Sequence, residues 1–352
     1  MEPKRVTQQD IAKAAGVHRT TVCLALKNYP RIPAETRERI VRIAEELGYS
    51  PDPMLSALAS YRTRLRPQSF HGTLVWLVNS ANGYAWDAFP HYRDYHQGAT
   101  SQARQNGYNL ETLDLNAPLM SPDRIASILR ARNVQGVLLC PQPQANMVMQ
   151  FPWEQISAVT FGYTLAEPRI HTVTAAHHRH TVHCIRELKR RGYRRIGFAF
   201  SKEHDLRTDH NFLSGYLSEE IGYDHLALPI PAFLESYRRS SEKIDEWLKH
   251  YRPDAIVTGE YQALDRLRLL GWKIPRDLGV ACPTLPTGKT RLAGIVEDSV
   301  HIGSVAVNLL VSAIQRGEKG VPSQPQRILV EGLWNEGSSL RSPAKTTRAP
   351  KG

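Results

Sequence analysis

Thr7-Gln8-Gln9-Asp10-Ile11-Ala12-Lys13-Ala14-Ala15-Gly16-Val17-His18-Arg19-Thr20-Thr21-Val22-Cys23-Leu24-Ala25-Leu26 divides at its one glycine into two short helical segments. Thr7 stands at a helix N-cap, and Asp10 follows three residues later, where a carboxylate reaches back to the cap and favours the helix dipole. Ile11, Ala14 and Ala15 share one face of the helix that follows. Gly16-Val17 ends it, because glycine accepts the tight turn. A second helix runs from His18 to Leu26. Two short helices joined by a glycine turn read as a helix-turn-helix, with small alanines at the contact. A third helix is expected from Pro33 to Leu47, with Ile40, Ile43, Ala44 and Leu47 as its apolar stripe and Gly48 as its stop.

The second helix opens with the polar side chains His18, Arg19, Thr20 and Thr21. A recognition helix places its first residues against base edges in the major groove. Arg19 can pair bidentately with guanine, and Thr20 can meet a base edge or a thymine methyl.

Charge agrees with this reading. The 352 residues carry a formal net charge of +11, from 45 Lys+Arg and 34 Asp+Glu. Residues 1–66 hold 12 basic and 7 acidic residues, residues 338–352 hold Arg341, Lys345, Arg348 and Lys351 with no acid, and the span between is nearly neutral. A basic head on a neutral body implies a polyanion partner. The apolar fraction of 41% supports a packed core, and at roughly 150 residues per domain the length implies two or three domains. No apolar run reaches the roughly 18 residues of a membrane span, and the first residues lack the apolar stretch of a secretory signal, so a cytoplasmic, nucleoid-associated protein without membrane contact is expected. Cys23, Cys140, Cys184 and Cys282 lie far apart, as four reduced thiols would.

The string Thr7-x-x-Asp10-Ile11-Ala12-x-x-Ala15-Gly16-Val17-x-x-x-Thr21-Val22 resembles the lactose-repressor/galactose-repressor (LacI/GalR) family of bacterial transcription regulators. Thr36-Arg37-Glu38-Arg39-Ile40 and Leu47-Gly48-Tyr49-Ser50-Pro51 fit it at the same spacing. The resemblance implies that Arg19, Thr20 and Leu24 face the major groove, Leu24 by apolar contact alone. Thr7, His18, Thr21, Lys27 and Arg31 complete the candidate head contacts. The family usually has Ser where His18 and Cys23 stand.

Pro51-Asp52-Pro53-Met54-Leu55-Ser56-Ala57-Leu58-Ala59-Ser60-Tyr61 follows. Asp52 can cap a short helix with Pro53 in its first turn. By resemblance this is a hinge helix whose Leu58 wedges between bases in the minor groove; the other reading is a linker helix packed on the body. Arg62, Arg64 and Arg66 either touch phosphate or keep a tether soluble.

From residue 70 to 338 apolar runs alternate with helical patterns: a strand at Thr73–Val78, a helix near Tyr92–Asn106, and so on through the strand Ala255–Thr258, the helix Ala263–Leu270 and the strand Gly279–Cys282. Strand–helix alternation implies α/β lobes of parallel sheet flanked by helices, with ligands at the carboxyl ends of the strands. The family resemblance extends through Arg190–Gly197, Trp272–Val280, Leu292–Val296 and Ile302–Ala306, and implies a body like that of periplasmic sugar-binding proteins. The expected first lobe comprises residues 70–162 and 294–319, and the second 163–291 and 321–338. The head spans 5–50, the hinge and linker 51–66, and a basic tail without order 339–352.

Three sugar-binding positions of the family are altered here. Ala176-His177 stands for its Asp-Asn pair, Phe212 for an Arg, and Thr284 for an Asp. Asn79, Tyr84, Trp86, Tyr92, Gln142, Tyr163, Arg207, Asp209, Glu260, Tyr261 and Thr284 are the candidate effector contacts, with aromatic faces for a ring and polar groups at its rim. His177, His178, His180 and His183 form the densest histidine cluster, but their spacing is not that of a metal site. No phosphate-binding loop, nucleophile elbow or zinc-protease motif occurs. Neither an enzyme nor a cofactor is therefore expected, and a helix-turn-helix argues against a protein that only captures sugar. The expected protein is a homodimeric repressor that binds duplex operator DNA and answers to a sugar or sugar derivative.

Overall fold

The computed structural model describes residues 6–26, 32–49, 72–221, 230–236, 241–288 and 290–342. Lys27, Arg31, the segment with Leu58 and the basic tail from 343 lie outside the described residues.

The head contains helices α1 (Gln8–Ala15), α2 (Arg19–Leu26) and α3 (Ala34–Glu46). Thr7 N donates to Asp10 Oδ2 at 2.8 Å, the backward reach expected of the first turn. Gly16 takes φ 65°, the left-handed conformation that lets the chain reverse between α1 and α2. The three helices close around Ile11, Ala12, Ala15, Val22, Ala25, Ile40 and Ala44. Full burial of Ile11 and Ile40 contributes about 1.5–3 kcal/mol each. Two expected core positions are corrected. Ala14 is exposed and Ala12 takes its place, because the buried face of α1 runs through Ile11, Ala12 and Ala15. Leu47 lies beyond the end of α3 and is 40% exposed.

The body opens with β1 (Gly72–Val78), α4 (Pro90–Gln105), β2 (Tyr108–Asp114), α5 (Pro122–Ala131), β3 (Val134–Leu139), β4 (Met147–Val148), β5 (Ser157–Phe161), β6 (Leu165–Glu167) and β7 (His171–Ala175). It continues through α6 (His177–Arg190), β8 (Ile196–Ala199), α7 (Lys202–Arg207), α8 (Asn211–Ile221), α9 (Ser241–Tyr251), β9 (Ala255–Thr258), α10 (Ala263–Leu269), β10 (Gly279–Leu285) and β11 (Ala293–Val296). It closes with α11 (Ser299–Arg316), β12 (Arg327–Val330) and β13 (Leu333–Asn335). The first sheet has the order β12-β7-β5-β3-β1-β2, and all its pairs are parallel. The second has the order β13-β11-β10-β9-β8, antiparallel only between β11 and β13.

Successive residues of a strand point to opposite faces. Leu74, Trp76 and Val78 therefore join one core with α4 and α11, while Val75 and Leu77 join another with Ile125 and Leu129 of α5. Helices α4 and α11 touch through glycine. A Cβ at Gly98 would lie 1.9 Å from Val300 O, and one at Gly303 would lie 2.0 Å from Tyr95 O.

The chain passes between the lobes three times: after β7, after β11 and after β12. This shifts the expected lobe boundaries. β7 pairs with β5, so the first lobe runs to Ala175 rather than 162. β11 pairs with β10 and belongs to the second lobe, not the first. β12 pairs with β7 and returns to the first lobe, not the second. Helix α6 begins at His177, four residues earlier than the pattern from Thr181 implies.

Candidate functional site

Two surfaces gather the candidate residues. The first is the start of α2. His18, Arg19 and Thr20 are exposed there, and Thr21 and Leu24 are half-buried. The His18 ring does local work: its Nδ1 accepts from Thr20 N at 3.3 Å and lies 3.0 Å from Thr20 Oγ1. A side-chain acceptor just before a helix satisfies one of its orphan N–H groups. His18 thus occupies the cap and fixes the Thr20 rotamer, while Arg19 extends into solvent. Thr7 is exposed, and its hydroxyl donates to Asp10 Oδ2 at 2.6 Å.

The second surface lies between the lobes, at the carboxyl ends of the strands. Arg207, the last residue of α7 in the second lobe, reaches the first lobe. Its guanidinium donates to Pro143 O at 2.6 Å and to Tyr92 Oη at 3.1 Å. Tyr84 Oη donates to Pro141 O at 3.4 Å from the same side. Burial pushes the Tyr84 and Tyr92 hydroxyls up, so both stay protonated and can donate. Thr287 Oγ1 donates to Asp94 Oδ2 at 2.6 Å, a second tie between the lobes.

Beneath this lies a polar cluster at the crossings themselves. Glu297 follows β11, is 2% exposed, and has His91 Nδ1 at 3.6 Å and His177 Nε2 at 3.5 Å. Burial raises the Glu297 carboxyl, but His91, His177 and His180 outweigh it and hold the group below the carboxylate range. His180 Nε2 accepts from Gly332 N at 2.9 Å, which ties α6 to the third crossing. His204, one turn before Arg207, packs on Phe200 and Phe212 at 5.4 Å each. Burial, with help from His177, pulls its pKa down to about 4. One strand end, two helix starts and one loop therefore meet at a buried carboxylate.

Comparison with known proteins matches two segments of the chain. Residues 7–52 match the family described as bacterial regulatory proteins, lacI family, and residues 185–340 match the periplasmic binding protein-like domain. The head is a lacI-family domain of bacterial regulatory proteins. It is 35% identical over 105 residues to the probable HTH-type transcriptional repressor ExuR of Bacillus subtilis (strain 168), covering 30% of this chain and 28% of that protein. It is 32% identical over 136 residues to the HTH-type transcriptional regulator PtxS of Pseudomonas plecoglossicida, covering 38% of this chain and 36% of that one. The matched stretches thus span about a third of these curated relatives. Among solved structures, a CelR transcriptional regulator–cellobiose complex superposes with a TM-score of 0.55 at 21% identity, over 95% of this chain and 100% of that one. A lac repressor dimer bound to operator and the anti-inducer ONPF gives 0.54 at 17%, over 96% and 100%. At these identities the likeness is one of fold, and the fold is the LacI-family one: a helix-turn-helix head and a parallel-sheet body.

Within that LacI-family frame the structure sorts the candidate effector residues. Tyr84, Tyr92 and Arg207 come together between the lobes. Tyr163 stands 6.0 Å from His177, with Arg327 over its ring at 4.6 Å. Asn79 and Gln142 support the site from beneath. Asn79 Nδ2 donates to Gln142 Oε1 at 3.0 Å, and Gln142, fully buried, also donates to Cys140 O at 2.8 Å and to Thr164 Oγ1 at 2.7 Å. Trp86 turns onto Trp76 and His96, at 5.5 and 5.2 Å, and is part of the packing rather than the rim. Asp209 is exposed in a left-handed turn at φ 52°. Tyr261 packs against the second-lobe core, Thr284 is buried within β10, and Glu260 N donates to Thr258 Oγ1 at 3.1 Å. Sequence reasoning missed His91, His204 and Glu297, read His180 only as part of a histidine run, and read His177 as part of that run and as the residue standing in the family's Asp-Asn pair. The available signal was the acid in Val296-Glu297-Asp298, placed where a strand hands over to a helix in the other lobe.

Proposed function

We propose that the chain is a sequence-specific DNA-binding transcription regulator, a repressor, that works as a homodimer on duplex operator DNA in the cytoplasm. The observation that carries this is the exposed face His18-Arg19-Thr20 at the start of the second head helix, in a head of this family. Arg19 reads a guanine and Thr20 a neighbouring base edge. Thr7, His18, Thr21 and Leu24 line the same contact, as do Lys27 and Arg31, and Leu58 enters the minor groove.

The body is the sensor. A carbohydrate or carbohydrate derivative held at Arg207, Tyr84 and Tyr92 favours one angle between the lobes. Because the chain crosses between them three times, that angle sets the spacing of the two heads in a dimer and hence operator affinity. Such control needs an effector that binds the two arrangements unequally. The domain division that fits this scheme is a head to about residue 50, a hinge to 66 and the two-lobed body beyond it.

The test is to incubate the full chain with fragmented DNA of its own genome at low salt and sequence what it retains. Enrichment of fragments sharing a near-palindromic site, with half-sites about one helical turn or a multiple apart, is expected. Uniform recovery of all fragments contradicts the reading.

A further inference from the structure

We propose that the ligand held between the lobes carries a carboxylate and that Arg207 receives it; this deepens the effector reading above and rests on it. The guanidinium of Arg207 is half-buried, and its partners are neutral oxygens: the Pro143 carbonyl and the Tyr92 hydroxyl. The phenols of Tyr92 and Tyr84 are its strongest electrostatic neighbours. A cation withdrawn from water is costly unless an anion or a full set of acceptors meets it.

Of the surrounding acids, Asp209 is exposed and four others are held by other partners. Glu297 faces His91 and His177. Asp205, on the same short helix as Arg207, lies 2.7 Å from His210 Nδ1 and accepts from Leu213 N at 3.2 Å. Asp94 accepts from Thr287 at 2.6 Å, and Asp114 accepts from Ser80 N at 3.2 Å. Among the described residues, the hydrogen-bond partners of the Arg207 guanidinium are neutral oxygens and no carboxylate pairs with it.

A planar guanidinium matches a carboxylate with two parallel hydrogen bonds, which neither a carbonyl nor a phenol can offer. A ligand carboxylate would take over the donors now turned to Pro143 O and Tyr92 Oη. The hydroxyls of Tyr92 and Tyr84 would then be free to donate to ligand hydroxyls beside it. The class this describes is a polyhydroxylated organic acid, a sugar acid rather than the neutral sugar. Phosphate offers a related charge, and the experiment separates the two.

Thermal shift and titration calorimetry on the full chain compare sodium gluconate, glucuronate and galacturonate with glucose, galactose and glucose 6-phosphate at matched ionic strength. A bound ligand raises the apparent melting temperature. At least one of the three acids is expected to do so where the neutral sugars do not. Arg207→Gln is expected to weaken that acid by roughly 10- to 100-fold, the size of a charge-assisted pair, and Arg207→Lys by less, since it keeps the charge and loses the fork. A melting temperature of the unliganded variants matching the parent shows that they fold; if Arg207→Gln does not fold, the Arg207→Lys titration alone decides. The inference is overturned if a neutral sugar binds as well as the acids, if the phosphate ester alone binds, if no acid exceeds the neutral controls, or if Arg207→Lys binds the acid unchanged. DNA retention by the parent protein is measured alongside. Normal retention with a response to a neutral sugar overturns only the carboxylate, whereas absent retention overturns the regulator reading itself.

Discussion

Glu297 Oε1 lies 3.5 Å from His177 Nε2, and both side chains are buried where the chain passes from one lobe to the other. Glu297 enters from the second crossing and His177 from the first, so the contact joins two of the three connections at one point. Removing one partner of a buried pair leaves the other desolvated. Glu297→Ala is expected to cost about 3 kcal/mol, read as a lower urea midpoint. Glu297→Gln, which keeps the shape and hydrogen-bonding capacity, is expected to cost less. Equal midpoints for parent and Glu297→Ala would show that the pair contributes nothing to the junction.

Stability should fall on acidification well before ordinary carboxylates titrate. Burial lowers His180, brings His204 to about 4, and leaves Glu297 below its ordinary range through its histidine neighbours. For His180 and His204 the unfolded chain binds more protons than the folded one, so their share of the stability is complete above the ordinary histidine value of 6.5 and is lost as pH drops towards 4, whereas the share of Glu297 is lost only below the ordinary carboxylate value of 4.5. Melting temperatures at pH 7.5, 6 and 5 test this, with a shallower decline expected for His204→Gln. A flat profile down to pH 5 would contradict it.

The α4–α11 contact leaves no room for a methyl group. Gly303→Ala would place a Cβ 2.0 Å from Tyr95 O, and Gly98→Ala one 1.9 Å from Val300 O. Each is expected to destabilise the first lobe by about 3 kcal/mol or more, since the obstacle is backbone and overpacking a tight contact already costs 1–3. Either variant melting like the parent would mean that the helices separate without penalty.

Arg19 and His18 should separate by effect. Arg19→Ala is expected to cost about 1–3 kcal/mol of operator affinity and to relax preference at one base pair. His18→Ala removes the acceptor that holds Thr20 and should lower the stability of the head as well as its affinity. Binding and melting measured on both variants distinguish base reading from capping. Unchanged base preference in Arg19→Ala would refute its assigned role.

Local pattern made much of the fold legible. The strand Ala255–Thr258 is legible to the residue, and α1 and the glycine turn at Gly16 follow from a cap, an apolar face and a stop. Strands with mixed composition were not legible. β7, His171-Thr172-Val173-Thr174-Ala175, has polar residues at three of five positions yet is buried throughout, because β5 and β12 flank it and helices cover it. β12 and β13 lie three residues apart but belong to different lobes, and only long-range pairing decides that. The same holds for the site. Tyr84, Tyr92 and Arg207 are candidates because each follows a strand in an α/β pattern, whereas Glu297 draws its partners from positions 91, 177 and 180, a convergence that no window of sequence contains.

The most direct test of the account is the affinity of the full chain for its enriched genomic site, measured by fluorescence anisotropy from 50 to 300 mM salt. Phosphate contacts release counterions, so log affinity should fall linearly and steeply with log salt, and the preference for the site over scrambled duplex should persist across the range. A salt-independent affinity, or equal affinity for scrambled duplex at every salt concentration, would contradict the claim that this chain reads DNA through the face of Arg19.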